Sequence, residues 1–340
     1  MKNIFTIIFA VLILQNAQGQ DIHFSQFSET PLLRNPALAG IFTGDLRIQG
    51  VNRNQWNSVT VPYQTTSLNG EYKFSIGSNN DFLSVGGEVL YDRAGTVSLT
   101  AIHLLPAINY HKSLSTEKNR YVSLGFMGGW VQRRFDISKM TTNNQYDGTG
   151  YDPTSGTGEN ITNPDFSYLD GSVGLSFNSQ IGQNQDNNFY IGAAYHHFNR
   201  SAQNSFLGDK TISIDPKLVF SLGVRMSVTE SGMVTFYADH SQQGKYKETI
   251  GGLIYSHKLD DIEDPRYLIH FGSFLRWKDA FIPIVKLEYK PFILSLSYDV
   301  NVSQLRSASH SRGGFEVSLS YQKFFVHEQS TKDATRCPRF

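Results

Sequence analysis

Residues 313–325, with the sequence GGFEVSLSYQKFF, decide the fold of this chain. Large apolar side chains alternate there with polar ones at a period of two. The apolar set is Phe315, Val317, Leu319, Tyr321 and Phe325, and the polar set is Glu316, Ser318, Ser320 and Gln322. This period predicts a β-strand that has one aromatic-rich face and one face that tolerates water.

The same alternation recurs from Leu46 onward, and it is cleanest between Leu218 and Met226. No segment with a helical period lies between the alternating runs. We count about fourteen strands, an even number that places both ends of a barrel on one side. The pattern therefore predicts an all-β fold, an antiparallel transmembrane β-barrel whose aromatic faces contact lipid.

Length and composition favour one large β domain. The chain has 340 residues, with 30 Lys and Arg against 30 Asp and Glu, so its formal net charge is zero. A balanced charge argues against a nucleic-acid partner, because phosphate binding requires a basic excess. The mature sequence has no apolar run of about eighteen residues, which excludes an ordinary helical membrane protein and leaves a barrel open.

The N-terminus has the features of an export signal. Residues 1–19 carry Lys2, an apolar run over residues 4–14 and the small-residue ending Ala17-Gln18-Gly19. This arrangement predicts a cleaved secretory signal peptide, since the apolar run is too short to anchor the chain across a bilayer. We assign residues 20–44 to an irregular periplasmic or lumenal segment, 45–325 to the barrel and 326–340 to a C-terminal periplasmic tail.

Connection lengths support the barrel independently of the strand pattern. Residues 75–81, 229–232 and 290–291 are short and are expected at the periplasmic end. Residues 136–167, 199–216 and 301–312 are long and are expected outside the cell. Short inner turns with long outer loops are typical of outer-membrane barrels, so we expect the chain in the outer membrane, with its lipid as one partner.

Charged residues on the polar faces are expected to point into the lumen, because each would be costly at lipid depth. They are Arg47, Glu71, Lys73, Glu88, Arg225, Asp239, Glu288, Asp299 and Glu316. Their mixed signs argue against a strongly ion-selective pore. A barrel of about fourteen strands has an interior that is wet or filled, and the N-terminal segment is the obvious filler.

Two blocks of the mature N-terminus resemble the PorP/SprF family of type IX secretion system outer-membrane proteins. Residues 20–27 (QDIHFSQF) are similar to the opening Q-D-x-x-F-S-Q-F of that family. Residues 35–40 (NPALAG) are similar to its N-P-A-x-x-G block.

Two further blocks extend the resemblance across the mature chain. Residues 53–56 (RNQW), followed by Tyr63 and Thr65, resemble the R-x-Q-W block after the first strand. Residues 313–317 (GGFEV) and the ending 337–340 (CPRF) look like the last strand and tail of the family. Between these blocks the resemblance rests on the strand pattern.

The resemblance implies a barrel in a Bacteroidota-type envelope that helps the type IX machine deliver or hold a secreted cell-surface protein. In gliding members that client is a large mobile adhesin. The motif residues are then candidate contacts for the client or for secretion components: His23, Phe24, Ser25, Gln26, Phe27, Asn35, Pro36, Ala37, Gly40, Arg53, Gln55 and Trp56. Alternatively, the N-terminal blocks anchor the chain against the barrel, and Trp56 anchors its rim.

Patterns that would indicate catalysis or metal binding are weak. The adjacent His196 and His197 should point to opposite faces of a strand, so we interpret them and the other histidines as solvated or rim residues. The acidic run at 260–264 lacks the ligand spacing of a calcium loop. Neither G-x-S-x-G nor a phosphate-binding glycine loop occurs. We therefore expect a non-enzymatic protein with no cofactor and no metal; an alternative is a channel for small or hydrophobic ligands.

Overall fold

The computed structural model describes residues 21–55, 61–77, 80–115, 117–204, 206, 211–262, 265–303 and 312–325. The signal-peptide prediction, Trp56, His310 and the tail at 326–340 lie outside the described residues. None of the described helices has the length and apolar character needed to cross a membrane.

Residues 21–45 precede the first strand and form three short helical turns. These are a 3₁₀ turn at Phe27–Glu29, a four-residue helix α1 at Pro31–Arg34 and a 3₁₀ turn at Pro36–Leu38. Proline occupies the first position of the last two, where its missing N–H costs nothing and its fixed φ favours a turn. The segment predicted as irregular thus has defined local structure.

Fourteen antiparallel strands form a closed barrel, which confirms the predicted fold class. The strands are β1 (Leu46–Gln55), β2 (Tyr63–Ile76), β3 (Asp81–Ala94), β4 (Leu99–Ser113), β5 (Arg120–Arg134), β6 (Asp165–Gln180), β7 (Asn188–His196), β10 (Lys217–Ser227), β11 (Gly232–Gln243), β12 (Tyr246–Lys258), β13 (Tyr267–Arg276), β14 (Ala280–Tyr289), β15 (Phe292–Asn301) and β16 (Arg312–Lys323). Each pairs with its neighbours, and β1 closes the barrel against β16.

A separate two-stranded hairpin, β8 (Ala202–Asn204) with β9 (Thr211–Ser213), lies in the connection between β7 and β10. Two 3₁₀ turns, Ile137–Lys139 and Asn143–Gln145, lie in the connection between β5 and β6. These elements are too short to show a hydrophobic period, so the sequence pattern did not predict them.

The two ends of the barrel differ in their connections. One end, which we call the loop end, carries residues 135–164, 197–216 and 302–311 between strands. The opposite turn end carries residues 77–80, 228–231 and 290–291. The long connections all fall at one end, as the sequence predicted.

The strand faces separate by polarity. Outward-facing apolar side chains are exposed, as shown by Ile48, Phe315 and Leu319. The residues between them, including Gln49, Glu316 and Ser318, are buried on the inner face. This is the inverse of a soluble sandwich, whose apolar side chains meet in a dry interior, and it is the pattern of a barrel surrounded by lipid.

Apolar packing inside the barrel comes from contacts with residues 21–45. Phe27 packs against Ile254, Phe274 and Ile282, and its ring centroid lies 4.9 Å from that of Phe274. On the opposite wall, Leu32 packs in a second cluster that contains Leu105, Met127 and Val131. The barrel therefore has a core only because its own N-terminal segment lies inside it.

Candidate functional site

Residues 21–45, which we call the plug, cross the lumen from the loop end to the turn end. Asp21 lies near the loop end, where its backbone N–H donates to Gln243. Asp45 lies at the turn end, where its N–H donates to the carbonyl of Lys323 over 2.9 Å. The plug is therefore the feature around which the interior of the barrel is arranged.

Glu316 on β16 binds the plug backbone directly. Its two carboxylate oxygens accept the N–H groups of Ser25 and Gln26 over 2.6 and 2.7 Å. The Gln26 side chain donates to the Glu316 carbonyl over 3.0 Å and to Ser297 over 3.1 Å. Hydrogen bonds to an ionised acceptor are stronger than neutral ones, so this contact fixes the register of the plug.

Two arginines balance the buried carboxylates around Ser25. Arg53 on β1 forms ion pairs with Asp299 at 3.0 Å and with Glu316 at 3.1 Å, and it donates to the carbonyl of His23. Arg276 on β13 donates to the Ser25 hydroxyl. Arg276 also forms ion pairs with Asp299, Glu248 and Asp279. Each arginine of the cluster therefore has carboxylate partners, which is the condition under which burial of charge is tolerated.

Arg34 at the end of α1 holds the centre of the plug to the opposite wall. It forms two hydrogen bonds with the carboxylate of Asp239 on β11, each 2.5 Å, and donates to the Tyr190 hydroxyl over 2.9 Å. Its guanidinium also lies 4.9 Å from the centre of the Phe27 ring. This bidentate geometry gives direction as well as energy.

The turn at residues 35–38 sits on wall glycines. The Asn35 side chain accepts from the N–H of Ala37 over 2.8 Å and donates to the carbonyl of Leu175 over 3.0 Å. A Cβ added at Gly174 would lie 1.9 Å from Asn35 Oδ1, and one added at Gly125 would lie 2.4 Å from the backbone of Pro36. The wall has no side chain where the plug backbone approaches most closely.

The plug turns toward β1 at Gly40, whose φ of +80° is unfavourable for other residues. Its N–H donates to Glu71 over 2.7 Å, and Glu71 also pairs with Arg47 over 2.6 Å. Lys73 donates to the Phe42 carbonyl over 2.6 Å. Three charged residues that were predicted to face the lumen therefore hold the plug where it leaves the lumen toward β1.

Asp21, at the loop end, forms an ion pair with His197. The His197 ring lies 2.7 Å from Asp21 and 2.8 Å from Asp170. Burial alone would lower the pKa of His197, but the two carboxylates outweigh it and raise that pKa to about 10. Burial would raise the pKa of Asp21, but Lys217 and His197 hold it well below its usual range.

We interpreted His196 and His197 as solvated or rim residues on opposite faces; they lie at the end of the strand, but the prediction of solvated side chains on opposite faces was wrong. The strand ends at His196, and His197 has a φ of +57°, so both rings face the interior. His196 donates to the carbonyl of Arg34 over 3.1 Å, and both residues are buried. A strand period cannot predict side-chain direction beyond the end of the strand.

Most of the motif residues proposed as partner contacts lie inside the barrel. Phe24, Ser25, Gln26, Phe27, Asn35, Pro36, Ala37, Gly40 and Arg53 are buried. They contact the wall or one another, so a partner cannot reach them while the plug is seated. His23 and Gln55 are half-buried and line a cavity of about 600 Å³ at the loop end. Trp56 is outside the described residues.

The charges predicted to face the lumen all lie on the inner wall, in three environments. Arg47, Glu71, Lys73, Asp239, Asp299 and Glu316 are buried against the plug, and Glu88 accepts from the Ser67 hydroxyl. Arg225 and Glu288 line a cavity of about 400 Å³ at the turn end.

Several residues that hold the plug were not predicted from the sequence. They are Glu29, Arg34, Asn109, Gly125, Gly174, His197 and Arg276. One usable signal was present: Glu29 and Arg34 are the charged residues between positions 22 and 44, and lumen walls offer opposite charges. Gly125 and Gly174 gave no such signal, because glycine in a strand has several explanations.

A buried serine and histidine pair lies beneath Gly40. The Ser84 hydroxyl lies 3.0 Å from His111 Nε2, and the Ser123 hydroxyl lies 2.7 Å from His111 Nδ1. The pair is sealed, and a Cβ added at Gly40 would lie 1.9 Å from Ser84 Oγ. These hydrogen bonds satisfy buried polar groups. Within the part of the chain that the structure describes, no cluster of histidine, cysteine or carboxylate side chains is arranged to hold a metal ion.

The sequence of this chain matches a known protein family. Residues 16–321 match the family model described as type IX secretion system membrane protein PorP/SprF. A search of curated proteins found no match.

Solved structures with a similar fold include bacterial barrels of several kinds. The Ralstonia pickettii toluene transporter TbuX is 10% identical, with 91% of this chain and 96% of that chain covered and a TM-score of 0.49. The P. putida toluene transporter TodX is 11% identical, with coverages of 88% and 95% and a TM-score of 0.48. The translocator domain of autotransporter NalP from Neisseria meningitidis is 9% identical, with coverages of 82% and 88% and a TM-score of 0.41.

Proposed function

Because this chain belongs to the PorP/SprF family of type IX secretion system membrane proteins, we propose that it is a non-enzymatic outer-membrane barrel that helps secrete or anchor a large cell-surface protein. The client is an adhesin-like protein that is held at the loop end, outside the cell. Other components of the type IX system are its partners in the envelope.

The observation that carries this proposal is the plug. It is bound to the wall by Glu316 near the loop end, by Asp239 at its centre and by Glu71 near the turn end. A lumen that a bound segment crosses from one end to the other suits a protein that holds a partner better than one that conducts solutes. The plug also makes the motif residues structural parts of the barrel.

The loop end is the surface we propose for the client. The cavity of about 600 Å³ there is lined by Gln55, Tyr63, Trp277 and charged residues of both signs. Trp277 is 66% exposed. Trp and Tyr side chains are among the residues that contribute most to the stability of protein interfaces.

The alternative function, a channel for small or hydrophobic ligands, requires a way past the plug. We propose that the protein functions with the plug bound in the lumen, so that purified protein in a planar bilayer conducts ions poorly. A variant that lacks residues 21–40 should conduct strongly. Equal, high conductance of both proteins would favour the channel.

The secretion role is tested by complementation in a host that has a type IX system but lacks this gene. Surface proteins are released from intact cells with protease and quantified by mass spectrometry. The wild-type chain should restore display of at least one large secreted protein, and Trp277→Ala should reduce it several-fold. Leu169→Ala, a change at another highly exposed residue in β6, serves as the control for loss of an exposed apolar side chain.

The proposal fails if cells without the gene display every large surface protein at the level of the complemented strain. It also fails if two variants, Trp277→Ala and the double variant Trp277→Ala with Tyr63→Ala, both bind and display the client as the wild type does. Amounts of barrel in the membrane must be equal in all strains.

A further inference from the structure

A second cavity at the loop end adjoins the one proposed for the client and shares Asp21, Ile22 and Asp92 with it. It has a volume of about 280 Å³ and lies between the plug and the inner wall of β3–β6. Much of its lining is apolar, contributed by Ile22, Leu33, Leu90, Leu99, Ala101, Leu105 and Met127. Polar and charged side chains, including Asp92, His103 and Arg133, make up the rest of the lining. A concave site that combines an apolar surface with polar groups is a common form of a small-molecule site.

The cavity exists because Ala101 is small. Strand register places Asp92, Ala101 and Arg133 side by side on β3, β4 and β5. Two strand spacings separate the backbone of Asp92 from that of Arg133 by about 10 Å. Both charged side chains line the cavity, with the alanine methyl group between them.

Most charges around the cavity are matched within the protein. His197 binds both Asp21 and Asp170, and Lys217 lies 3.6 Å from Asp21, so these four groups are balanced. Asp92 accepts a hydrogen bond from the Thr65 hydroxyl over 2.6 Å.

Arg133 differs from these groups. It donates to the Tyr168 hydroxyl and interacts electrostatically with Asp92, but no carboxylate of a described residue lies within 4.0 Å of its guanidinium. Its Nε has no hydrogen-bond partner among the described residues, and neither does Nε2 of His103, another residue of the lining. Arg133 as a whole is half-buried, but this Nε is buried, and a charge that is partly removed from water normally has a close anionic partner.

We propose that this cavity binds an apolar monocarboxylate, with the carboxylate on Arg133 and the hydrocarbon part against Leu90, Leu105 and Met127. The guanidinium supplies two parallel donors to the two carboxylate oxygens. Two sources have this chemistry: a free fatty acid of medium length, and the C-terminal residue of a polypeptide. The site goes beyond the proposed secretion role and does not depend on it.

The test uses the full chain in lipid nanodiscs and isothermal titration calorimetry with octanoate and with 1-octanol. Octanoate should bind with one site per barrel, and octanol should bind at least tenfold more weakly. Arg133→Gln should weaken octanoate binding tenfold or more. Arg134→Gln, a change at the adjacent residue on the outer face, should leave it unchanged.

Two further measurements separate loss of the site from loss of the fold. Ala101→Phe fills the cavity and should abolish binding, while mobility on unheated gels shows that the barrel is intact. A peptide ending in leucine, compared as free acid and as amide, identifies the source: binding of the free acid without octanoate binding assigns a polypeptide terminus. The proposal is overturned if octanol binds as octanoate does, if neither carboxylate binds, or if Arg133→Gln binds normally.

Discussion

Glu316 is the single side chain on which the plug depends most. It is fully buried, it accepts two plug N–H groups, and it pairs with Arg53. Glu316→Gln keeps the shape but removes the charge, which leaves Arg53 partly unmatched. We expect a loss of stability on the order of 3 kcal/mol, because breaking a buried ion pair is costly.

The measurement is resistance of the plug to protease added to purified barrel, together with the midpoint of thermal unfolding. Glu230→Gln, in an exposed turn, is the matched control. Protease resistance equal to the wild type in the Glu316 variant would contradict the role assigned to this carboxylate.

Gly125 tests how closely the plug contacts the wall. Gly125→Ala places a methyl group within 2.4 Å of the Pro36 backbone, so the turn at 35–38 must move. Gly70→Ala is the control, since nothing lies within 4 Å of an added Cβ there. A crosslink or spin-label distance between plug and β5 should change in the first variant and not in the second.

His197 gives the loop end of the plug its pH dependence. Its pKa is raised to about 10, so its contribution is complete below about 6.5 and is lost as pH rises through 10. Asp21 has a lowered pKa, so the stability that its carboxylate contributes is lost at acid pH, as the pH falls through the pKa of the folded state. Nitrogen NMR of the imidazole should show a protonated ring at pH 8, and Asp21→Asn should shift its titration to lower pH.

At the scale of elements, the strands were predictable and the plug contacts were not. A period of two in residues such as Phe315 and Leu319 indicates which face contacts lipid, because lipid surrounds that face along the whole strand. The contacts of Arg34 with Asp239 join residues 205 positions apart, and no local pattern encodes such a pairing. The plug was foreseen as lumen filler only because a wide barrel must be wet or filled.

The plug turn at 35–38 predicts a second effect at this scale. Asn35→Ala removes the cap on Ala37 and the bond to Leu175. The loss of the cap should cost about 1 kcal/mol. Amide hydrogen exchange of residues 36–39 should increase, while exchange in β1 stays unchanged; equal protection in both proteins would show that the wall alone orders this turn.

For the whole molecule, the outer face should behave as a membrane surface. Leu319 on β16 is 53% exposed among other apolar side chains. Leu319→Arg should destabilise the barrel in lipid by about 2–4 kcal/mol if it lies near the bilayer midplane. Leu319→Met is the control, and the free energy of unfolding from vesicles in guanidinium chloride is the measurement. Equal stabilities would exclude lipid contact at this position.

Closure of the barrel has a consequence for the order in which the molecule matures. The first strand pairs with the last, and the last strand carries the carboxylate that grips Ser25 and Gln26. A newly exported chain therefore lacks this partner of Ser25 and Gln26 until its final strand is in place. The plug is therefore fully bound only when the barrel is complete. Truncated products would keep the plug exposed to envelope proteases and would be removed.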